Sequence, residues 1–268
     1  MGQDTMIWGE TGKEMLRIPA GTFLFGAALE ERELAEYWID RTPVTNAEYQ
    51  RFLNAVPGYP VPLAGEAWTQ PYAWDAQGRT YPPDKADHPV VLVTWEDAAA
   101  YAAWARARLP REAEWEKAAR GGASGRRFPW NDSDAIQHSR ANYNSCPSCS
   151  YDTSQTTKFH PAHEAGNIPY TSPVSLFAAN GYGLYDMAGN VFEWCWDWYS
   201  SSYYNRSPPS DPRGPPTGEI RVFRGGCWNS PAEQCRVSHR AAYAAPGNSG
   251  FGLGFRTVRM IPQADIRK

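Results

Sequence analysis

The stretch "NGYGLYDMAGNVFEWCWDWY" (residues 180–199) crowds Gly, Asn and Asp into its first half and aromatic residues into its second. It is typical of the chain after Ala123, where turn signals recur and short strands and coil are expected without long helices. Two acids frame its centre. Asp186 and Glu193 are hard oxygen donors, and the carbonyls of Gly189 and Val191 between them would complete a turn of oxygens, the ligand type Ca²⁺ prefers. The alternative reading is an acidic turn whose carboxylates are satisfied by backbone N–H groups.

Upstream, the period changes. Residues 16–27, "LRIPAGTFLFGA", read as strand, turn, strand. In "YWIDRTPVTNAEYQRFLNAV", Thr45 and Glu48 form a capping box, and Tyr49, Phe52 and Leu53 share one helical face. Residues 57–88, rich in Pro, Gly and aromatics, read as a long ordered loop. A second helix starts at Thr94, with Asp97 at the capping-box acid position. Pro110 suits the first turn of a third helix, "REAEWEKAARGG", which Gly121 and Gly122 end. Helices packed on irregular β structure make an α+β domain.

The 268 residues suffice for one large core, and a net charge of -3 excludes a basic nucleic-acid scaffold. With 12 Trp, 15 Tyr, 23 Gly and 23 Pro, aromatic packing and turns hold the chain together. No run of about 18 apolar residues is present, so no membrane span is expected. No apolar leader is seen either, which makes the cytoplasm the expected location, export by an unseen route aside. Neither G-x-S-x-G nor a P-loop occurs.

"IPAGTFLFG", "IDRTPVTNAEYQRFL", "RLPREAEWEKAARGG", "NGYGLYDMAGNVFEWCWDWY", "RVFRGGCWN", "CRVSHR" and "LGFR", in this order, resemble the formylglycine-generating enzyme (sulfatase-modifying factor) superfamily. The resemblance covers nearly the whole chain and implies a variant C-type-lectin fold. It implies an N-terminal extension over residues 1–14, the domain over 15–260 and a tail over 261–268. It also implies a structural calcium held by Asp186, Gly189, Val191 and Glu193, and a weaker second one at Asn142 and the Tyr143 carbonyl. No carboxylate stands near residues 166–168, where the second site's acidic partner belongs.

Superfamily members include copper oxidases, iron-dependent sulfoxide synthases, silent paralogues and the variable ligand-binding proteins of diversity-generating retroelements, so membership does not fix function. The oxidase holds Cu(I) between two cysteines five residues apart. Cys235 matches the second, but Ser230 stands at the first, and a hydroxyl does not replace a thiolate for a soft monovalent ion. A displaced pair, Cys235 with Cys227, is the alternative catalytic reading, acting on a peptide cysteine. The iron reading lacks its histidine pair and its helical domain. Separately, Cys146 and Cys149 are spaced C-x2-C and His160 and His163 H-x2-H, a possible tetrahedral zinc set. A disulfide, or two free thiols in a loop, is the competing reading.

The text of residues 223–256 is firm at its ends and soft between. The variable retroelement proteins carry such a segment near the C-terminus, and their mutator acts on adenines. Cys227, Ser230, Pro231, His239, Ala241, Ala242, Tyr243, Ala244, Ser249, Gly250, Phe251 and Gly252 are all types reachable by that route. Tyr, Ser, Gly and Asn also make adaptable binding surfaces. The expectation is a non-catalytic ligand-binding protein that presents these residues on an exposed face to a protein or glycan. Gly225, Gly226, Trp228, Arg236, Arg240, Gly254, Phe255 and Arg256 would form the frame.

Overall fold

In the computed structural model, which describes residues 4–9, 11–63, 65–146, 148–165, 168–242 and 244–260, the chain opens on strands. These are β1 (Thr5–Trp8), β2 (Lys13–Ile18), β3 (Gly21–Phe25), β4 (Glu30–Leu34) and β5 (Tyr37–Asp40). Helices α1 (Asn46–Ala55), α2 (Trp95–Trp104) and α3 (Glu112–Ala119) follow. Short strands complete the chain: β6 (Glu164–Ala165), β7 (Ile168–Pro169), β8 (Phe192–Trp198), β9 (Arg221–Arg224), β10 (Leu253–Gly254) and β11 (Val258–Arg259). One sheet has the order β1-β2-β5-β11 and a second the order β10-β8-β9, while β3-β4 and β6-β7 are hairpins.

The helix starts follow the sequence reading. Thr45 Oγ1 accepts the Glu48 N–H at 3.2 Å while Glu48 Oε2 accepts the Thr45 N–H at 2.8 Å. Thr94 and Asp97 repeat the exchange at 3.0 and 2.9 Å. Tyr49, Phe52 and Leu53 are buried together, as their spacing requires. Gly121 and Gly122 end α3 at φ +58° and +78°, left-handed values that suit glycine.

The strand, turn and strand expected over residues 16–27 are present as β2 and β3, which pair in different sheets, β2 with β1 and β5, β3 with β4. One detail differs from the sequence expectation. β1 lies within the stretch expected to be an extension, and its Thr5 pairs opposite Leu16. A strand needs a partner for its backbone groups, and β2 supplies it, so the sheet starts ahead of residue 15. β11 then closes on β5 with Val258 opposite Ile39, which brings the last described strand beside the early ones.

The core is tied by buried ion pairs as well as by aromatics. Arg224 on β9 bonds Glu112 at 2.7 Å and Glu116 at 2.5 Å, both on α3. Arg120 also pairs with Glu116, and Arg240 with Glu112, each at 2.7 Å. Each buried charge thus has a partner of opposite sign, without which its desolvation would oppose folding. Arg256 similarly closes on Glu193 of β8, at 2.6 and 2.7 Å.

Candidate functional site: a cleft beside Cys227

β9 ends at Arg224, and Gly225 (φ +99°) and Gly226 (φ +75°) turn the chain out of the sheet. A side chain at Gly226 is excluded, because its Cβ would lie 2.6 Å from the Cys235 sulfur. Cys227 and Trp228 follow, both buried. The Trp228 ring stacks on Tyr72 with centroids 6.0 Å apart and meets Phe251 at 5.2 Å. The expected frame therefore holds: glycines make the tight backbone, Trp228 fills the core, and Arg240 and Arg256 pair with carboxylates. Arg236 pairs with Glu233.

Ser230 Oγ accepts the Cys227 N–H at 3.0 Å and lies 3.5 Å from the Cys227 sulfur. Its oxygen is a turn-forming acceptor. Cys227 packs in a cluster with Phe192, Phe223 and Leu253. Cys235 packs in another, with Phe128, Ile136, Tyr143 and Ala188. Burial pushes both thiols up, Cys235 well above the ordinary thiol value. A metal-binding or nucleophilic cysteine requires the thiolate, which such surroundings disfavour. The residues present do not fit copper: one of the two positions is a hydroxyl, and burial disfavours the thiolate at both remaining cysteines.

A cleft of about 400 Å³ opens beside Cys227. Cys227, Ser230, Ala244, Ser249, Gly250, Phe251 and Gly252 line it, seven of the twelve residues singled out by sequence. Pro231, His239, Ala241 and Ala242 are not among its lining residues, and Tyr243 lies outside the described residues. The exposed face expected of all twelve is therefore corrected. Cys227, Ser230, Ala241, Ala244 and Gly252 are buried, because the segment folds down into the wall of the cleft. His239 is half-buried, and burial together with the charges of Arg224 and Arg236 lowers it to about 4. Glu66, Thr69, Asn229, Gln234 and Asn248 also line it and carry most of its polarity. No motif pointed to them. A larger cleft, about 530 Å³, lies by Trp130, Arg140 and Asp186. The smaller one is taken as the site because the soft segment converges on it.

The calcium set fits unevenly. Asp186 is buried, accepts the Ser175 N–H at 2.9 Å and the Asn190 amide at 3.2 Å, and is raised to about 6 by burial. A desolvated carboxylate of this kind suits a cation. Glu193 already receives three hydrogen bonds, two from Arg256 and one from Trp115. Of the roughly four lone-pair sites of a carboxylate, about one is left for a metal. Asn142 donates its amide N–H to the Tyr170 carbonyl at 2.9 Å, which fixes the side chain and leaves its amide oxygen as the group that could meet a second ion. The Tyr143 carbonyl accepts from His138 at 3.2 Å.

The zinc set is corrected. Cys146 and Cys149 close on each other in one turn. The His160 and His163 rings lie 4.2 Å apart in a tilted arrangement, with Phe177 and His138 as neighbours. Among the described residues no three His, Cys, Asp or Glu side chains converge as metal ligands. His160 Nε2 is engaged by the His138 carbonyl at 2.9 Å, which directs the ring into the loop's own hydrogen bonding.

Comparison with known proteins places this geometry. The family model described as "Sulfatase-modifying factor enzyme 1-like domain" matches residues 7–261. The formylglycine-generating enzyme of Thermomonospora curvata is 36% identical over 92% of this chain and 93% of its own length. The structure of PvdO from Pseudomonas aeruginosa is similar with TM-score 0.73 and 28% identity, covering 97% of this chain and 99% of that one. Treponema denticola variable protein 1 is similar with TM-score 0.67 and 26% identity, covering 95% of this chain and 97% of that one. Motif order, α+β architecture and these likenesses agree: the chain belongs to the sulfatase-modifying factor enzyme 1-like family, with its variant C-type-lectin fold.

Proposed function

We propose that the protein is a non-catalytic ligand-binding member of this family, and that it binds through the cleft beside Cys227. The observation that carries this reading is Ser230. Its hydroxyl occupies the place of a copper-ligating cysteine and is committed to the Cys227 backbone N–H. What remains is a wall of small and aromatic residues with polar groups that include one carboxylate, Glu66, suited to contacts with a protein or glycan surface. Variation of the segment by a retroelement belongs to the same proposal and is supported by the likeness to a variable protein. A genome with no reverse transcriptase near the gene, and no near-copy of the segment's coding sequence differing at adenines, would remove that part alone.

A second reading is a formylglycine-type oxidase that uses Cys235 with Cys227, acting on a peptide cysteine. It is supported by the 36% identity to a formylglycine-generating enzyme. Titration with Cu(I) against a competing chelator separates the two. The binding reading predicts no stoichiometric thiol-dependent site at Cys227 and Cys235. Such a site would favour the oxidase.

A further inference from the structure

Outside the cleft, Cys146 and Cys149 meet at a backbone hydrogen bond of their own. The Cys149 N–H donates to the Cys146 carbonyl at 3.0 Å. A four-residue turn closed in this way holds its end Cα atoms within about 7 Å, which overlaps the roughly 4.4–6.8 Å span of a disulfide. The Ser148 hydroxyl lies 3.0 Å from the Cys146 sulfur. Asp152 anchors the turn from below by accepting the Cys146 N–H at 2.6 Å. Cys146 and Cys149 are also the two cysteines within reach of solvent, while Cys195, Cys227 and Cys235 are buried.

We propose that Cys146 and Cys149 are a redox-active dithiol that exchanges with disulfides. The hydrogen bonds from Ser148 and then Cys149 lower the Cys146 thiol. Donating to Cys146, together with burial, raises Cys149. This asymmetry divides the roles into an attacking thiolate and a resolving thiol. The Cys146 thiolate attacks one sulfur of a low-molecular-weight disulfide of the glutathione type. That S–S bond breaks, a mixed disulfide forms on Cys146, and the first thiolate leaves. Cys149, once deprotonated, attacks the Cys146 sulfur and expels the second thiolate. The protein loses two electrons and two protons and gains one S–S bond, while the small disulfide is reduced to two thiols that take up those protons.

The turn is wired to the cleft wall. The Asn144 N–H donates to the Ser230 carbonyl at 2.9 Å, and Tyr151 Oη donates to Glu233 at 2.5 Å. The dithiol thus lies close to Ser230, although its chemistry does not depend on what the cleft binds.

The test equilibrates the full chain in reduced and oxidised glutathione at graded ratios, quenches with acid, alkylates free thiols and maps peptides by mass. Two of the five thiols are expected to disappear as a Cys146–Cys149 disulfide and to return with dithiothreitol. Cys149→Ser is expected to trap glutathione on Cys146, and Cys146→Ser to react at least about tenfold more slowly. Five free thiols at every ratio, a disulfide mapped to other cysteines, or equal glutathionylation of the two variants would overturn the proposal. Unchanged thermal midpoints for the variants show that the fold is retained, and the wild-type mapping decides the matter if either variant fails to fold.

Discussion

Ser230 and Asp197 illustrate how far single residues can be read. That Ser230 replaces a thiolate follows from counting five positions back from Cys235. That its oxygen holds the Cys227 N–H does not, because a serine looks the same in sequence whether it faces water or a turn. Burial of Cys227 and Ala244 was illegible for a related reason, since small side chains occur in cores and on surfaces alike. Asp197 lies in the aromatic text of β8, accepts the Glu112 N–H at 2.9 Å and is fully enclosed. Burial, then the nearby Glu112 charge, raises it from 3.8 to about 7. The folded chain thus holds this proton more tightly than the unfolded one. The contribution is full below about pH 4 and is lost as pH rises through about 7. Asp197→Asn keeps the acceptor and removes the titration. Urea unfolding at about pH 4.5 and about pH 8 should show the variant gaining on the wild type at the higher pH, by on the order of 1–4 kcal/mol. Parallel pH profiles would show that Asp197 ionises freely.

Elements were legible where their signals are local. Both capping boxes, the glycine end of α3 and the buried face of α1 stand as read, because each depends on residues within one or two turns. Strand pairing was not: nothing within residues 16–27 tells β2 to pair with β5 and β3 with β4. Nor does "REAEWEKAARGG" disclose that Glu112 and Glu116 are buried, since Arg224 and Arg240 come from far along the chain. Glu116→Ala leaves Arg224 and Arg120 short of a partner in the core. It should cost about 3–5 kcal/mol in urea denaturation, as breaking a buried pair does. A loss below about 1 kcal/mol would place that network outside the stability of the fold. The turn leading into β8 makes a separate prediction. If Asp186 anchors calcium, adding Ca²⁺ raises the melting temperature, by up to about 2.7 kcal/mol of stabilisation at a hundredfold excess over Kd. Asp186→Ala abolishes the rise. A melting temperature indifferent to both Ca²⁺ and chelator would leave Asp186 as an acid satisfied by Ser175 and Asn190.

At the scale of the molecule, the family and the α+β architecture were readable because their motifs run through nearly the whole chain in order. The cleft was only half readable. One wall is the soft segment, but Glu66 and Thr69 come from the loop over residues 57–88, and only folding brings them opposite Ser249 and Phe251. Among the described residues no helix is long and apolar enough to cross a membrane. The central claim, that Ser230 separates this chain from its catalytic relatives, is tested most directly by offering wild type and Ser230→Cys a cysteine-containing peptide with Cu(I) and oxygen. Aldehyde formation is followed by mass spectrometry, and Cu(I) binding in parallel. The account predicts no aldehyde and no stoichiometric Cu(I) site in the wild type, and a Cu(I) site gained in Ser230→Cys. Aldehyde formed by the wild type, and lost on Cys235→Ala, would contradict it.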